Sequence, residues 1–96
     1  MSVTAYHFWS PTCGPCKVIK PAIDDLKDEF SNVGWMSVNV QDDPDGHASR
    51  FGVQVVPTIV VVAISPDRNV LYQDKNSGTQ MAHYYRILRS AIRALG

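Results

Sequence analysis

Ninety-six residues, 45% apolar and 19% charged, suffice for one hydrophobic core and not for two, and the balance is wrong for a disordered chain. Nine Lys and Arg oppose nine Asp and Glu, so net charge supplies no pull toward nucleic acid or a membrane, and neither is expected as a partner. The charge is uneven along the chain: residues 1–48 hold three Lys against six Asp and one Glu, and residues 49–96 hold five Arg and one Lys against two Asp, which suits attraction within one compact fold as well as any partner.

The opening "MSVTAYHFWS" has no basic start, no apolar run and no small-residue cleavage site, so the expected location is cytoplasmic, although a chain already trimmed of a leader would read the same. Within it, residues 3–9 are β-branched and aromatic and predict a strand. Gly14 to Phe30 predicts a helix, with Ile19, Ala22, Ile23, Leu26 and Phe30 on one stripe and Pro21 inside it as an expected bend. Residues 34–40 alternate Met36, Val38 and Val40 against Trp35, Ser37 and Asn39, a second strand. "DDPDGHASRFG" predicts a loop and a short helix stopped by Gly52. "PTIVVVAI", residues 57–64, is too continuously apolar for a one-sided strand and suits one buried on both faces. It is also too short and too broken to cross a membrane. A turn at 65–69 returns residues 70–74 as an antiparallel partner. From Thr79 to Leu95 a last helix is expected to bury Tyr84, Ile87, Leu88, Ala91, Ile92 and Leu95. The order β-α-β-α-β-β-α describes a single α/β domain over residues 1–96, with a four-stranded mixed sheet flanked by helices.

Both cysteines of the chain, Cys13 and Cys16, fall at the start of the first helix. Residues at i and i+3 there lie about 5–6 Å apart, within disulfide reach. A helix N-terminus offers unpaired N–H groups and the positive end of the dipole, which favour a thiolate, and a lowered thiol pKa makes Cys a nucleophile near neutral pH. Cys13, at the helix mouth, is the expected attacker, and Cys16, one turn inward, the resolving thiol. Gly14 permits close backbone approach and Pro15 is accepted in the first turn. Three plainer readings compete. A structural disulfide closing so small a loop removes little unfolded-state entropy. A zinc site needs more ligands, and His7, His47 and His83 lack the spacing, so no metal is expected. The third is a chance pair of core cysteines.

"FWSPTCGPCK" resembles the thioredoxin signature, whose usual form is F-W-A-x-W-C-G-P-C-K, and "VVPT" at 55–58 resembles that family's cis-proline segment. The similarity runs from Tyr6 to about Ile64 and more loosely to the end. It implies a thioredoxin-like fold and thiol–disulfide exchange on protein disulfides, with Cys13 as nucleophile, Cys16 as resolver and Pro57 in cis beside them. It further implies electrons from a thioredoxin reductase-type donor, a monomer and no bound cofactor. Trp9, Thr12, Gly14, Pro15, Val56 and Pro57 are then expected to contact substrate, Val56 through its backbone. The chain begins where the family's second strand begins, hence four strands. Thr12 stands where a Trp is usual, and is expected to narrow the substrate range while capping the helix through its hydroxyl. His7 occupies the place of the family's buried Asp, and Ser37 that of its partner Lys. His7 reads either as the proton acceptor for Cys16, a neutral imidazole held below the ordinary 6.5, or as core packing.

Two other functions compete with the reductase. A glutathione-linked glutaredoxin suits the short chain, but Gly14-Pro15 does not suit it and no Gly-Gly pair follows Pro57. A non-catalytic module that docks a partner protein is the other. Arg86, Arg89 and Arg93 share one face of the last helix, a solvated stripe that could also meet an acidic partner.

Overall fold

A computed structural model describes residues 2–96. Its elements are β1 (Ser2–Trp9), α1 (Gly14–Glu29), β2 (Gly34–Asn39), α2 (His47–Arg50), β3 (Thr58–Ile64), β4 (Val70–Ser77) and α3 (Met81–Ala94). β3 starts at Thr58 because Pro57 has no N–H to give to the ladder. β4 runs on to Ser77, three residues past the predicted end, since pairing with β3 continues until Thr58 meets Ser77. α1 continues through Pro21, which lies on its exposed side.

The four strands lie in the order β2-β1-β3-β4. β1 runs parallel to β2, as the α1 crossover between them requires, and antiparallel to β3, which pairs antiparallel with β4. The period of two then sorts side chains onto two faces. Val3 and Ala5 join Ile59, Val61 and Ala63 under α1 and α3, where Ile19, Ile23, Leu26, Tyr84, Ile87, Leu88 and Ala91 close the main core. Phe8, Val38, Val60 and Val62 face the opposite way, beneath α2 and the chain around Phe51 and Val53. β3 from Thr58 to Ala63 is buried on both faces, as its unbroken apolar run requires. Each fully buried aliphatic or aromatic side chain of this kind contributes about 1.5–3 kcal/mol.

Burial departs from the apolar patterns at several positions. Met36 is 42% exposed although it shares a face with buried Val38, because β2 is an edge strand and that end of the face is uncovered. Ala22 is only half-buried, and so are Ile92 and Leu95 at the C-terminal end of α3, although both pack against the main core. No described helix is long and apolar enough to cross a membrane.

Candidate active site

The alternation that sends Phe8 to the α2 face sends His7 and Trp9 to the α1 face, behind the start of that helix. β1 ends at Trp9, and a tight turn ties the Cys13 N–H to the Ser10 carbonyl at 3.2 Å, so the chain enters α1 directly above the sheet end. Cys13 is the N-cap in extended conformation, and Pro15 lies in the first turn. The Sγ of Cys13 accepts the Cys16 N–H at 3.1 Å. Thr12, expected to cap this helix, does not. The sulfur occupies the position a capping oxygen would take, and the Thr12 hydroxyl turns outward to accept from Gln41 Nε2 at 2.9 Å.

Cys13 and Cys16 form a disulfide with Cα atoms 5.3 Å apart. Cys13 is half-buried and Cys16 is 8% exposed, so only the first sulfur presents itself to a large partner. Pro11, Thr12, Gly14 and Pro15 surround it as an exposed rim. From the other side comes the Val56–Pro57 peptide, which is cis. Its Val56 carbonyl oxygen lies 3.7 Å from Cys13 Sγ, a packing contact while the sulfur carries no proton. The Pro57 carbonyl accepts from the Gly78 N–H at 3.0 Å and the Tyr84 hydroxyl at 3.3 Å. The Thr58 hydroxyl donates to the Val55 carbonyl at 2.7 Å. The segment facing the cysteines is thus pinned from α3 and from the β3–β4 pair.

Behind the disulfide opens a cleft of about 240 Å3, whose walls include His7, Trp9, Ser10, Cys16, Lys27 and Ser37. His7 is 8% exposed, and its Nδ1 is buried without a hydrogen-bond partner. Burial, then the Lys27 ammonium, lowers its pKa to about 4, with Asp24 opposing and Lys20 adding slightly. The ring is neutral at pH 7. Burial also lowers the Lys27 pKa. Ser37 pairs with His7 in the β1–β2 register, but its hydroxyl accepts the Trp9 indole N–H at 2.9 Å instead. Ser37 therefore fixes Trp9 rather than His7. Among the described residues no group of three metal-ligating side chains comes together.

Sequence reasoning missed Gln41, Lys27, Gly78 and Tyr84 as parts of this site. Gln41 lies 29 residues from the Thr12 it touches, and Tyr84 was legible only as a member of an apolar stripe. The Arg stripe stands apart on α3, where Arg86, Arg89 and Arg93 share a shallow groove with Ala82 and Tyr85.

The thioredoxin family model matches residues 3–86. The chain belongs to the thioredoxin family. Thioredoxin from Haemophilus influenzae is 43% identical over 56 residues, which are 57% of this chain and 51% of that protein. The chain therefore matches about half the length of that curated thioredoxin, and a smaller share of several chloroplast forms. Among solved structures, Fasciola hepatica thioredoxin superimposes with a TM-score of 0.70 at 26% identity, covering 92% of this chain and 80% of that one. Thioredoxin f2 in complex with ferredoxin:thioredoxin reductase gives a TM-score of 0.74 at 21% identity, covering 94% and 77%. The thioredoxin fold is common to all of them.

Proposed function

We propose that this chain is a thiol–disulfide oxidoreductase that reduces protein disulfides through Cys13 and Cys16. One observation carries the reading. A single disulfide caps the N-terminus of α1, with its outer sulfur presented beside the Val56–Pro57 segment and its inner one backed by a cleft. After reduction of that disulfide, the helix N–H groups and dipole favour Cys13 as thiolate. The thiolate attacks a sulfur of the target, the target S–S bond breaks, and one target thiolate leaves while a mixed disulfide forms. Cys16 then loses its proton to water in the cleft it shares with His7 and attacks Cys13 Sγ. The Cys13–Cys16 bond forms, the second target thiolate leaves, and a proton returns to it from water. Two electrons pass to the target, so a dithiol donor of the thioredoxin reductase type must restore the pair. Thioredoxin f2, of the same fold, is known in complex with ferredoxin:thioredoxin reductase. A couple kept reduced suits a reducing compartment, and we place this one in the cytoplasm as a monomer.

Insulin reduction, with thioredoxin reductase or glutathione as alternative electron sources, tests the reading. Turnover with the reductase is the expected result. Turnover with glutathione alone would favour a glutaredoxin-like enzyme, and turnover with neither a docking module.

A further inference from the structure

Thr12 is exposed beside Cys13, and its hydroxyl is held from a distant loop rather than from its own helix. The Gln41 carboxamide reaches it with Nε2 at 2.9 Å, and the Gln41 backbone N–H is itself tied to Asn39 Oδ1 at 3.0 Å. The loop is anchored further by the Val40 N–H on the Trp9 carbonyl at 2.9 Å and the Asp42 N–H on the Asn39 carbonyl at 3.0 Å. Gln41 is thus an exposed side chain on a braced loop, not a free one. Because Thr12 Oγ1 accepts from Gln41, its own O–H points elsewhere. The other nearby acceptor is Ser10 Oγ at 3.4 Å, too long for a strong bond. Gln41 Oε1 likewise retains its acceptor capacity, since the bond to Thr12 uses only the nitrogen. One donor and one acceptor therefore stand side by side, next to the reactive sulfur.

We propose that Thr12 and Gln41 form a two-point hydrogen-bonding subsite that selects target disulfides whose cysteine is flanked by an Asn or Gln side chain. A carboxamide offers the complement: its oxygen accepts from the Thr12 hydroxyl and its NH2 donates to Gln41 Oε1. An apolar flanking residue of the same size leaves both protein groups covered and unpaired, which is the discriminating cost. The subsite is at the rim and partly wet, so the expected preference is modest, about tenfold. The proposal rests on the thiol–disulfide reading given above.

The test uses the reduced full chain and two synthetic peptides, each bearing one cysteine in mixed disulfide with thionitrobenzoate. The peptides differ only by Asn or Leu, of nearly equal size, beside that cysteine. The parent should show about tenfold higher kcat/KM for the Asn peptide, expressed mainly in KM. Thr12→Val and Gln41→Leu should each bring the ratio to within about twofold, and Thr12→Ser, which keeps the hydroxyl, should retain it. Equal rates for the two peptides in the parent, or a ratio unmoved in both Thr12→Val and Gln41→Leu, would overturn the subsite alone. No release of thionitrobenzoate from either peptide would overturn the thiol–disulfide reading and the subsite with it.

Discussion

Burying a neutral histidine behind the disulfide makes stability depend on pH in a defined window. The His7 pKa falls from 6.5 in the unfolded chain to about 4 in the native one, with burial as the largest cause and the Lys27 ammonium second. Between those values the unfolded chain binds a proton that the native chain does not, so stability rises with pH there and is lost as pH falls from 6.5 toward 4. At about 1.4 kcal/mol per pH unit, the full window corresponds to about 3 kcal/mol, a large part of the 5–15 kcal/mol typical of a domain. Asp24, Asp43 and Asp67 also have lowered pKa values: a hydrogen bond from Lys20 leads for Asp24, the Ala48 N–H for Asp43 and the Ser65 hydroxyl for Asp67. Their contributions are present above the ordinary carboxylate value of 3.8 and disappear as pH falls below it, so the interval from pH 5 to 6.5 belongs to His7. Urea denaturation of the oxidised protein across that interval should show a loss of about 2 kcal/mol on acidification. His7→Leu, similar in volume and without a titrating group, should flatten the profile whatever its absolute stability. Parallel profiles for parent and variant would refute the claim that His7 is buried neutral.

Cys16→Ser should accumulate stable mixed disulfides through Cys13 on incubation with oxidised protein targets, seen by mass spectrometry, while Cys13→Ser should trap none; the opposite pattern reverses the assignment of attacker and resolver. Tyr84→Phe deletes the hydroxyl that donates to the Gly78 carbonyl, with the Pro57 carbonyl as its longer second contact, and should cost about 1 kcal/mol in urea denaturation. Burial also pushes the Tyr84 phenol up to about 12, so the unfolded chain ionises first and the parent should lose stability as pH rises from 10 to 12; the Phe variant should lose less, keeping only the part from Tyr85, which its hydrogen bond with Glu29 also raises. Thr12→Trp should improve insulin reduction by adding apolar contact beside Cys13. Its stability should stay within about 0.5 kcal/mol of the parent, because Cys13 and not Thr12 caps α1; a loss of a full cap's worth in thermal unfolding would contradict that.

Local signals carried far where the determining interactions are local. The i, i+3 cysteines with Gly14 and Pro15 between them marked the start of α1, because capping and the first turn depend on neighbours within four residues. The unbroken run from Thr58 to Ala63 marked a central strand, because a strand covered on both faces has no polar side to show. Edges were less legible. Met36 and Ile92 belong to correct periodic patterns, yet their burial depends on whether another element lies over them, which no pattern within the strand or helix records.

The sequence by itself determined the order of elements, the cysteine pair at the start of α1 and the strand that carries His7, all consequences of periodicity and of residue chemistry at short range. Only the tertiary structure decided what each of those residues touches. It set the Thr12 hydroxyl on Gln41 rather than on the helix, turned Ser37 to Trp9 rather than to His7, and brought Tyr84 to the Pro57 carbonyl across 27 residues. Hydrogen bonds are short and directional, so partners are chosen by where packing leaves the donors and acceptors. That arrangement is set by the register of β1 against β2 and β3 and by the seating of α1 and α3 on the sheet.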